Sequence, residues 1–447
     1  MTSYDCNHLM IQSGQMNLTI QRGTHEIGGS CVELCSDSGE SRIVIDVGMP
    51  LVTPDRLPFE WHRYKGLPQE QLLEQGVLPA VDGLYSHQKP SISAVILSHA
   101  HQDHYGFIRF VHPNIPLYMS LGTKGLVEVS NLFLGTGVNL DLIRTFTMWQ
   151  PFQVEEFITT PYLMDHSAPD AAAFLIEADG QRLFYSGDFR GHGRKQVLLE
   201  RLSSTAISSL DCLIMEGSMM GRDAGRYPDE NAVEQAMYEI MVDQRSYTFV
   251  FCSSQNLDRL VSIYRAVKRT HKTLVIDLYT AFALDKLSSI SSRIPQFDWN
   301  EIRVLYAYSH AKKLAERDKK LLYRYRKAKI EWNEIRSNPH DMVILSKDNR
   351  YFRMMLQKLS ASGEAKAIYS MWHGYLERTN LAQVLESQGI ELIEIHTSGH
   401  AYVEDLKRLA CAMNPRCLVP IHTFYPDQYG SIHENIVQLD DGETYYL

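Results

Sequence analysis

The chain has 447 residues, 44% hydrophobic and 22% charged, with a formal net charge of −9. That length exceeds one ordinary core, so two or three domains, or one core with a large insertion, are expected, and the composition excludes a disordered or collagen-like chain. The acidic balance gives no global attraction to nucleic acid, no apolar run reaches the roughly 20 residues of a membrane span, and no signal-peptide pattern opens the sequence, so a cytoplasmic protein without a membrane partner is expected.

In chain order, short β-type runs come first: LTIQRG from Leu18, SCVELCS from Ser30 and SRIVIDVG from Ser41, then SISAVILSHAH after an irregular connection from Pro50 to Pro90. The run Ala94 to Leu97 is apolar without alternation, as in a strand covered on both faces, and it leads straight into a histidine cluster. Further strands are expected at AAAFLIEA, QRLFYSGD, DCLIMEGS, SYTFVFCSS and HKTLVIDL, with helical periodicity around Asn231–Val242 and Asn256–Lys268. Strands alternating with helices indicate α/β layering with parallel strands. The stretch from about Gly217 to Ile393 reads as an α/β unit of its own, after which the first domain resumes. The seven cysteines (Cys6, Cys31, Cys35, Cys212, Cys252, Cys411 and Cys417) are scattered and contain no CxxC pair. They point to free thiols in a reducing compartment, not to a cysteine metal site.

The central signal is His99-Ala100-His101-Gln102-Asp103-His104. Imidazole and carboxylate are ligands for zinc and related divalent ions, and so many of them in six residues is costly unless something positive binds there. Alternate residues of an extended segment point the same way, so His99 and His101 can converge on one ion, while Asp103 and His104, at the turn into a helix, face a second.

This array resembles the signature of the metallo-β-lactamase superfamily. The later motifs follow in that family's order: Asp46 in IVIDVG, His166 in DHSAPDAAAFLIEADG and Asp188 in YSGDFR. Glu216 in LIMEGS, His400 in HTSGHA and His422 in VPIHT resemble the β-CASP nucleases, the ribonuclease J group in particular. The resemblance implies an α/β fold, a metallo-β-lactamase αββα sandwich with an inserted α/β β-CASP domain. Its bounds would be 1–216 and 395–447 for the sandwich and 217–394 for the insertion. It implies two divalent metal ions, zinc first with manganese or magnesium as alternatives. His99, His101 and His166 would hold one, Asp103, His104 and His422 the other, and Asp188 would bridge. Asp46 would orient a ligand histidine, and His400, paired with Glu216, would pass a proton to the leaving oxygen, so that Asp103, His400, Glu216 and Asp46 are the expected catalytic group.

The implied activity is phosphodiester hydrolysis of single-stranded RNA, as a 5′-to-3′ exonuclease, an endonuclease or both. Rival readings are the same machinery acting on DNA, a small-molecule hydrolase, and a non-catalytic member of a processing complex. Relatives of this group carry a C-terminal self-association domain, whereas the sequence ends soon after His422, so a homodimer by that route is in doubt and a partner protein is the other option. A substrate phosphate is expected near Ser253, Ser254 and Asn256, or near His396, Thr397, Ser398 and Gly399, where hydroxyls and backbone N–H groups can cradle an anion; for the first group a helix cap made by Ser254 competes. The basic stretch Lys312–Lys329 is either a solvated helix face or a phosphate-tracking surface. His62, His87, His112, His192 and His373 read as ordinary residues, and Tyr323, Tyr325 and Trp372 as core residues before base-stacking ones.

Overall fold

The computed structural model describes residues 15–205, 207, 209–361 and 364–447; Cys6 lies outside them. Three sheets organise the chain. The first has strands Asn17–Arg22, Cys31–Cys35, Arg42–Ile45, Ala94–Ile96, Leu117–Met119 and Ile143–Thr145 in sequence order, with Thr444–Tyr446 on its outer edge. The second runs Cys417–Ile421, Cys212–Glu216, Gln181–Tyr185, Ala172–Ala178, Phe157–Leu163, Phe152–Val154.

These two sheets lie face to face. Leu18, Ile20, Val32, Leu34, Ile43, Ile45 and Ile96 of the first interdigitate with Phe174, Ile176, Leu183, Tyr185, Ile214 and Val419 of the second, all fully or almost fully buried. The alternate residues point outward under helices. Val44 and Val95 pack with Leu72, Phe107 and Val127 on one side. Leu175, Leu213 and Met215 pack with Leu199, Leu202, Leu406 and Leu409 on the other. Both faces of both sheets are thus covered, which is the αββα sandwich. The unbroken apolar run at Ala94–Leu97 follows from that double covering.

The expectation of parallel strands holds only in part. Phe157–Leu163, Ala172–Ala178 and Gln181–Tyr185 form an antiparallel meander. Its hairpin turns on Asp179 and Gly180, both at positive φ (54° and 75°), the combination that matches the strand twist of a two-residue hairpin. Beyond it, Gln181–Tyr185, Cys212–Glu216 and Cys417–Ile421 are mutually parallel, so their carboxyl ends share one edge.

The third sheet is wholly parallel, in the order Lys329–Ile330, Ile302–Leu305, Thr273–Asp277, Met342–Ser346, Thr248–Phe251, Lys366–Tyr369, Glu391–Glu394. All its strands come from between Thr248 and Glu394, and the chain rejoins the second sheet at Cys417. Helices cover both faces, among them Glu230–Val242, Leu257–Arg269 and Leu278–Lys286 on one and Arg350–Leu359 on the other. The helix Leu121–Leu134 joins the two units: Val127 packs on the first sheet, while Leu126, Val129 and Phe133 pack with the third sheet's helices. Among the described residues no helix is long and apolar enough to cross a membrane, and the six described cysteines are unbridged.

Candidate metal centre

The site collects at strand ends. Ala94–Ile96 delivers Ser98, His99 and His101; Arg42–Ile45 ends at Asp46; Phe157–Leu163 leads to His166; Gln181–Tyr185 leads to Asp188; Cys212–Glu216 ends at Glu216; and Cys417–Ile421 leads to His422. The short helix Gln102–Tyr105 carries Asp103 and His104. Its carbonyls are stapled by the loop beside Asp46: Val47 N–H donates to His104 O and Met49 N–H to Gln102 O. A Cβ on Gly48 would stand 1.8 Å from the Asp103 carbonyl oxygen, so only glycine permits that approach.

The side chains converge in three overlapping groups: His99, His101, His166 and Asp188; Asp103, His104 and His422; and Asp188, His400 and His422, with the ligating atoms of each group within 4.8 Å of one another. One oxygen, Asp188 Oδ2, stands 3.7 Å from His99 Nε2, 3.2 Å from His104 Nε2, 3.8 Å from His422 Nε2 and 3.6 Å from His400 Nδ1. His166 Nε2 and His101 Nδ1 are 3.1 Å apart. Yet Nε2 of His99, His104 and His422 and both carboxylate oxygens of Asp188 are buried without any hydrogen-bond partner. Buried polar atoms are ordinarily satisfied, so five orphaned acceptor or donor atoms aimed into one volume fit divalent metal binding.

The outer contacts fix which nitrogens face inward. His104 Nδ1 donates to Asp46 Oδ2 at 2.8 Å and His166 Nδ1 donates to the Gly399 carbonyl at 2.7 Å. Both partners can only accept, so in the neutral form of each ring Nε2 carries the lone pair. Asp46, fully buried at φ 59°, also accepts from Ser98 N–H, Ser98 Oγ and Tyr185 OH.

Electrostatics agree. Burial, reinforced by neighbouring imidazoles, holds His99 and His166 well below the ordinary histidine pKa, and burial brings His101 down to about 4 and lowers His422. Their lone pairs are available at neutral pH. His104 is the exception: burial pulls it down, but the Asp188 and Asp46 carboxylates overrule that and hold it well above its usual value. A dication would displace that proton on binding. His400 is likewise pushed up to about 9, Glu216 and Asp188 outweighing burial. Its Nδ1 lies 3.2 Å from Glu216 Oε1, whose carboxylate is also fixed by the Phe189 and Ser218 N–H groups.

The residues offered for phosphate contact fare differently. Ser254 is buried and bonds Thr280 Oγ1 at 2.7 Å, and the helix Leu257–Arg269 is capped by Asn256, whose side chain accepts from Arg259 N–H; Ser254 is neither cap nor available ligand. Thr397 is buried with its hydroxyl 3.2 Å from Tyr402 OH, and Ser398 Oγ accepts from His400 N–H. Ser253 is exposed, and burial holds His396 down to about 3 beside Arg259. The backbone at Gly399 packs close to His166.

Sequence reasoning missed the groups that hold this loop. Arg190 donates to the Ser398 carbonyl at 2.7 Å, Arg259 to the Thr397 carbonyl, and the buried His192 places its Nε2 3.0 Å from Ser398 O. Both arginines are fully buried and paired with Glu230, and Arg190 also with Asp258. The one available signal was position, since Arg190 follows Asp188 by two residues. Of the aromatic residues expected in the core, Tyr325 is there, but Tyr323 (64% exposed) and Trp372 (40%) are not. The Lys312–Lys329 stretch forms two largely exposed helices whose charges are partly spent on local pairs such as Arg324 with Asp285.

Known proteins resemble this chain in part and over most of its length. Residues 68–239 match the β-lactamase superfamily domain. Ribonuclease J of Helicobacter pylori is 23% identical, over 96% of this chain and 60% of its own length. Ribonuclease J of Mycoplasma genitalium is 20% identical, over 95% of this chain and 72% of its own. The chain thus matches the β-lactamase superfamily domain over part of its length and is similar to ribonuclease J over most of it. A crystal structure of a protein of unknown function from Enterococcus faecalis superposes with a TM-score of 0.76 at 21% identity, covering 97% of this chain and all of that one. The chain thus spans about 60% of the length of the Helicobacter pylori relative.

Proposed function

We propose that this chain is a metal-dependent phosphodiesterase that cleaves single-stranded RNA, with residues 217–394 as an inserted β-CASP domain forming one wall of the substrate cleft. The observation that carries the reading is the buried cluster of unsatisfied imidazole and carboxylate atoms around Asp188, beside a His400–Glu216 pair.

In this reading His99, His101 and His166 would hold one divalent ion, Asp103, His104 and His422 a second, and Asp188 both. Bound there, such ions lower the pKa of a water and neutralise phosphate oxygens. The protein's own residues do the rest. Asp46 and the Gly399 carbonyl lock the tautomers of His104 and His166, which keeps Nε2 inward. His400, 25% exposed at its side chain, is reachable from the cleft, and the Glu216 carboxylate favours its protonated form, as a donor to a departing oxygen requires. The buried Arg190 and Arg259 hold the carbonyls of Ser398 and Thr397 and thereby set where His400 stands. A 5′-phosphate would be received at the junction by Ser253 and by N–H groups of the HTSGHA loop.

The test is cleavage of matched end-labelled RNA and single-stranded DNA, each with a 5′-phosphate or a 5′-hydroxyl, by the zinc- or manganese-loaded protein and by the His400→Ala variant. Cleavage of RNA first, slowed about 100-fold or more by the variant with its metal retained, is expected for loss of a general acid. Equal rates on the two 5′ ends would remove the phosphate anchor. No cleavage of either polymer by metal-loaded protein would contradict the nuclease reading.

A further inference from the structure

The mouth of the metal centre carries a cluster that the reading above does not use. The loop after strand Lys366–Tyr369 leads into the short helix His373–Leu376 and brings Trp372, Tyr375 and Arg378 to the surface. Trp372 is 40% and Tyr375 44% exposed, and their rings meet edge to face with centroids 5.2 Å apart. From the chain just after the second sheet, six residues beyond Glu216, Arg222 places its guanidinium over the Trp372 ring at 5.5 Å. Arg378 lies 5.5 Å from the same ring and 5.7 Å from that of Tyr375. The indole rests on Gly374, where an added Cβ would stand 2.3–2.5 Å from its six-membered ring.

Two properties separate this cluster from ordinary surface. It adjoins the chemistry: Tyr375 lies close enough to Asp103 to feel its charge, and Arg222 to feel that of Glu216. And it is uncompensated: among the described residues neither Arg222 nor Arg378 has a carboxylate partner, whereas Arg190, Arg194 and Arg259, deeper in the same cleft, all do. Two exposed aromatic rings with two unpaired guanidinium groups, in a protein of net charge −9, complement one kind of occupant, a flat ring joined to an anion.

We propose that Trp372, Tyr375, Arg222 and Arg378 form a nucleotide subsite of the substrate cleft, the aromatic rings stacking a base of the single strand and the guanidinium groups holding its phosphate. The platform recognises bases by their faces and is tolerant of sequence. The inference rests on the nuclease reading, because it takes the strand that occupies the metal centre as its ligand.

The test is fluorescence anisotropy with a labelled phosphorothioate oligouridylate, which resists cleavage, and with an abasic oligomer of the same length and charge. The proteins are wild type, Trp372→Ala, Tyr375→Ala, Arg378→Gln and Gly374→Ala, the last keeping the indole but displacing it. Wild type should favour the base-bearing strand. Each aromatic variant should bind that strand about 5- to 100-fold more weakly, the range set by stacking one base on one ring. The same variants should bind the abasic strand unchanged, and Arg378→Gln should weaken both strands and flatten the salt dependence. Oligouridylate binding that survives unaltered in Trp372→Ala and Tyr375→Ala, with the wild type binding and cleaving RNA normally, overturns the subsite and leaves the nuclease reading standing. A wild type that neither binds nor cleaves any strand overturns both.

Discussion

Replacing Asp46 by Asn probes the geometry of the centre without touching a proposed ligand. Asp46 Oδ2 accepts from His104 Nδ1 at 2.8 Å, Ser98 Oγ at 2.7 Å and Tyr185 OH at 2.9 Å, while Oδ1 accepts from Ser98 N–H at 2.8 Å. An asparagine can keep the three-donor side only by turning its NH2 toward the Ser98 N–H, which orphans a fully buried donor at about 1–3 kcal/mol. It also removes the negative charge that holds the proton on His104 Nδ1, so Nε2 is no longer reserved as a lone pair. Loss of such an outer partner lowers metal affinity about 10- to 100-fold. Competition between the protein and a zinc-binding dye, with circular dichroism as the control for folding, should therefore show one of two ions leaving the variant early, the ion of Asp103, His104 and His422. A folded Asp46→Asn protein that holds both ions at wild-type affinity would refute the tautomer argument.

Other outcomes follow from the same contacts. Arg259→Met should destabilise the protein by about 3–5 kcal/mol in urea unfolding, because the buried Glu230 loses one of its two guanidinium partners and keeps only Arg190. Gly48→Ala should lower the melting temperature and the metal content together, since its methyl group would collide with the Asp103 carbonyl. Glu26 supplies a pH test remote from the ligands: burial, only partly offset by Arg22, raises its pKa from 4.5 to about 7. The folded state then binds this proton more tightly than the unfolded state. Its contribution is full below the ordinary carboxyl pKa and is lost at up to about 1.4 kcal/mol per pH unit as pH rises toward 7. Urea titrations at acid and neutral pH should show wild type losing stability relative to Glu26→Gln over that window; parallel pH profiles would contradict it.

What could be read from the sequence was whatever is local. The HxHxDH array stands out because so many imidazole and carboxylate groups fall within six residues, and Asp188 and His166 gain meaning from the strands that precede them. The covering of both faces was legible in the unbroken run Ala94–Leu97. Long-range pairing was not. Nothing in SYTFVFCSS reveals that its strand lies between Met342–Ser346 and Lys366–Tyr369. Short strands such as Leu117–Met119 and Phe152–Val154 are too brief to show a period. Arg190, Arg259 and Glu230 look like the charges of any solvated helix or turn, and only the fold turns them inward on one another. Asn256 and Ser254 are both able caps, and the choice between them was made by Thr280, a residue on another helix. Trp372 reached the surface because Gly374 leaves room for the indole to lie against the backbone, a relation that spacing alone does not show.

The most direct test of the account is the metal content of the purified protein by mass spectrometry, after dialysis against zinc or manganese, alongside Asp188→Asn and with cleavage of a 5′-phosphorylated RNA followed in the same samples. The account predicts two divalent ions per chain in wild type, loss of at least one in Asp188→Asn, and RNA cleavage that disappears with them and returns on adding metal to wild type only. Full cleavage by chelator-stripped protein, or a metal content near zero in a folded and active enzyme, would contradict it.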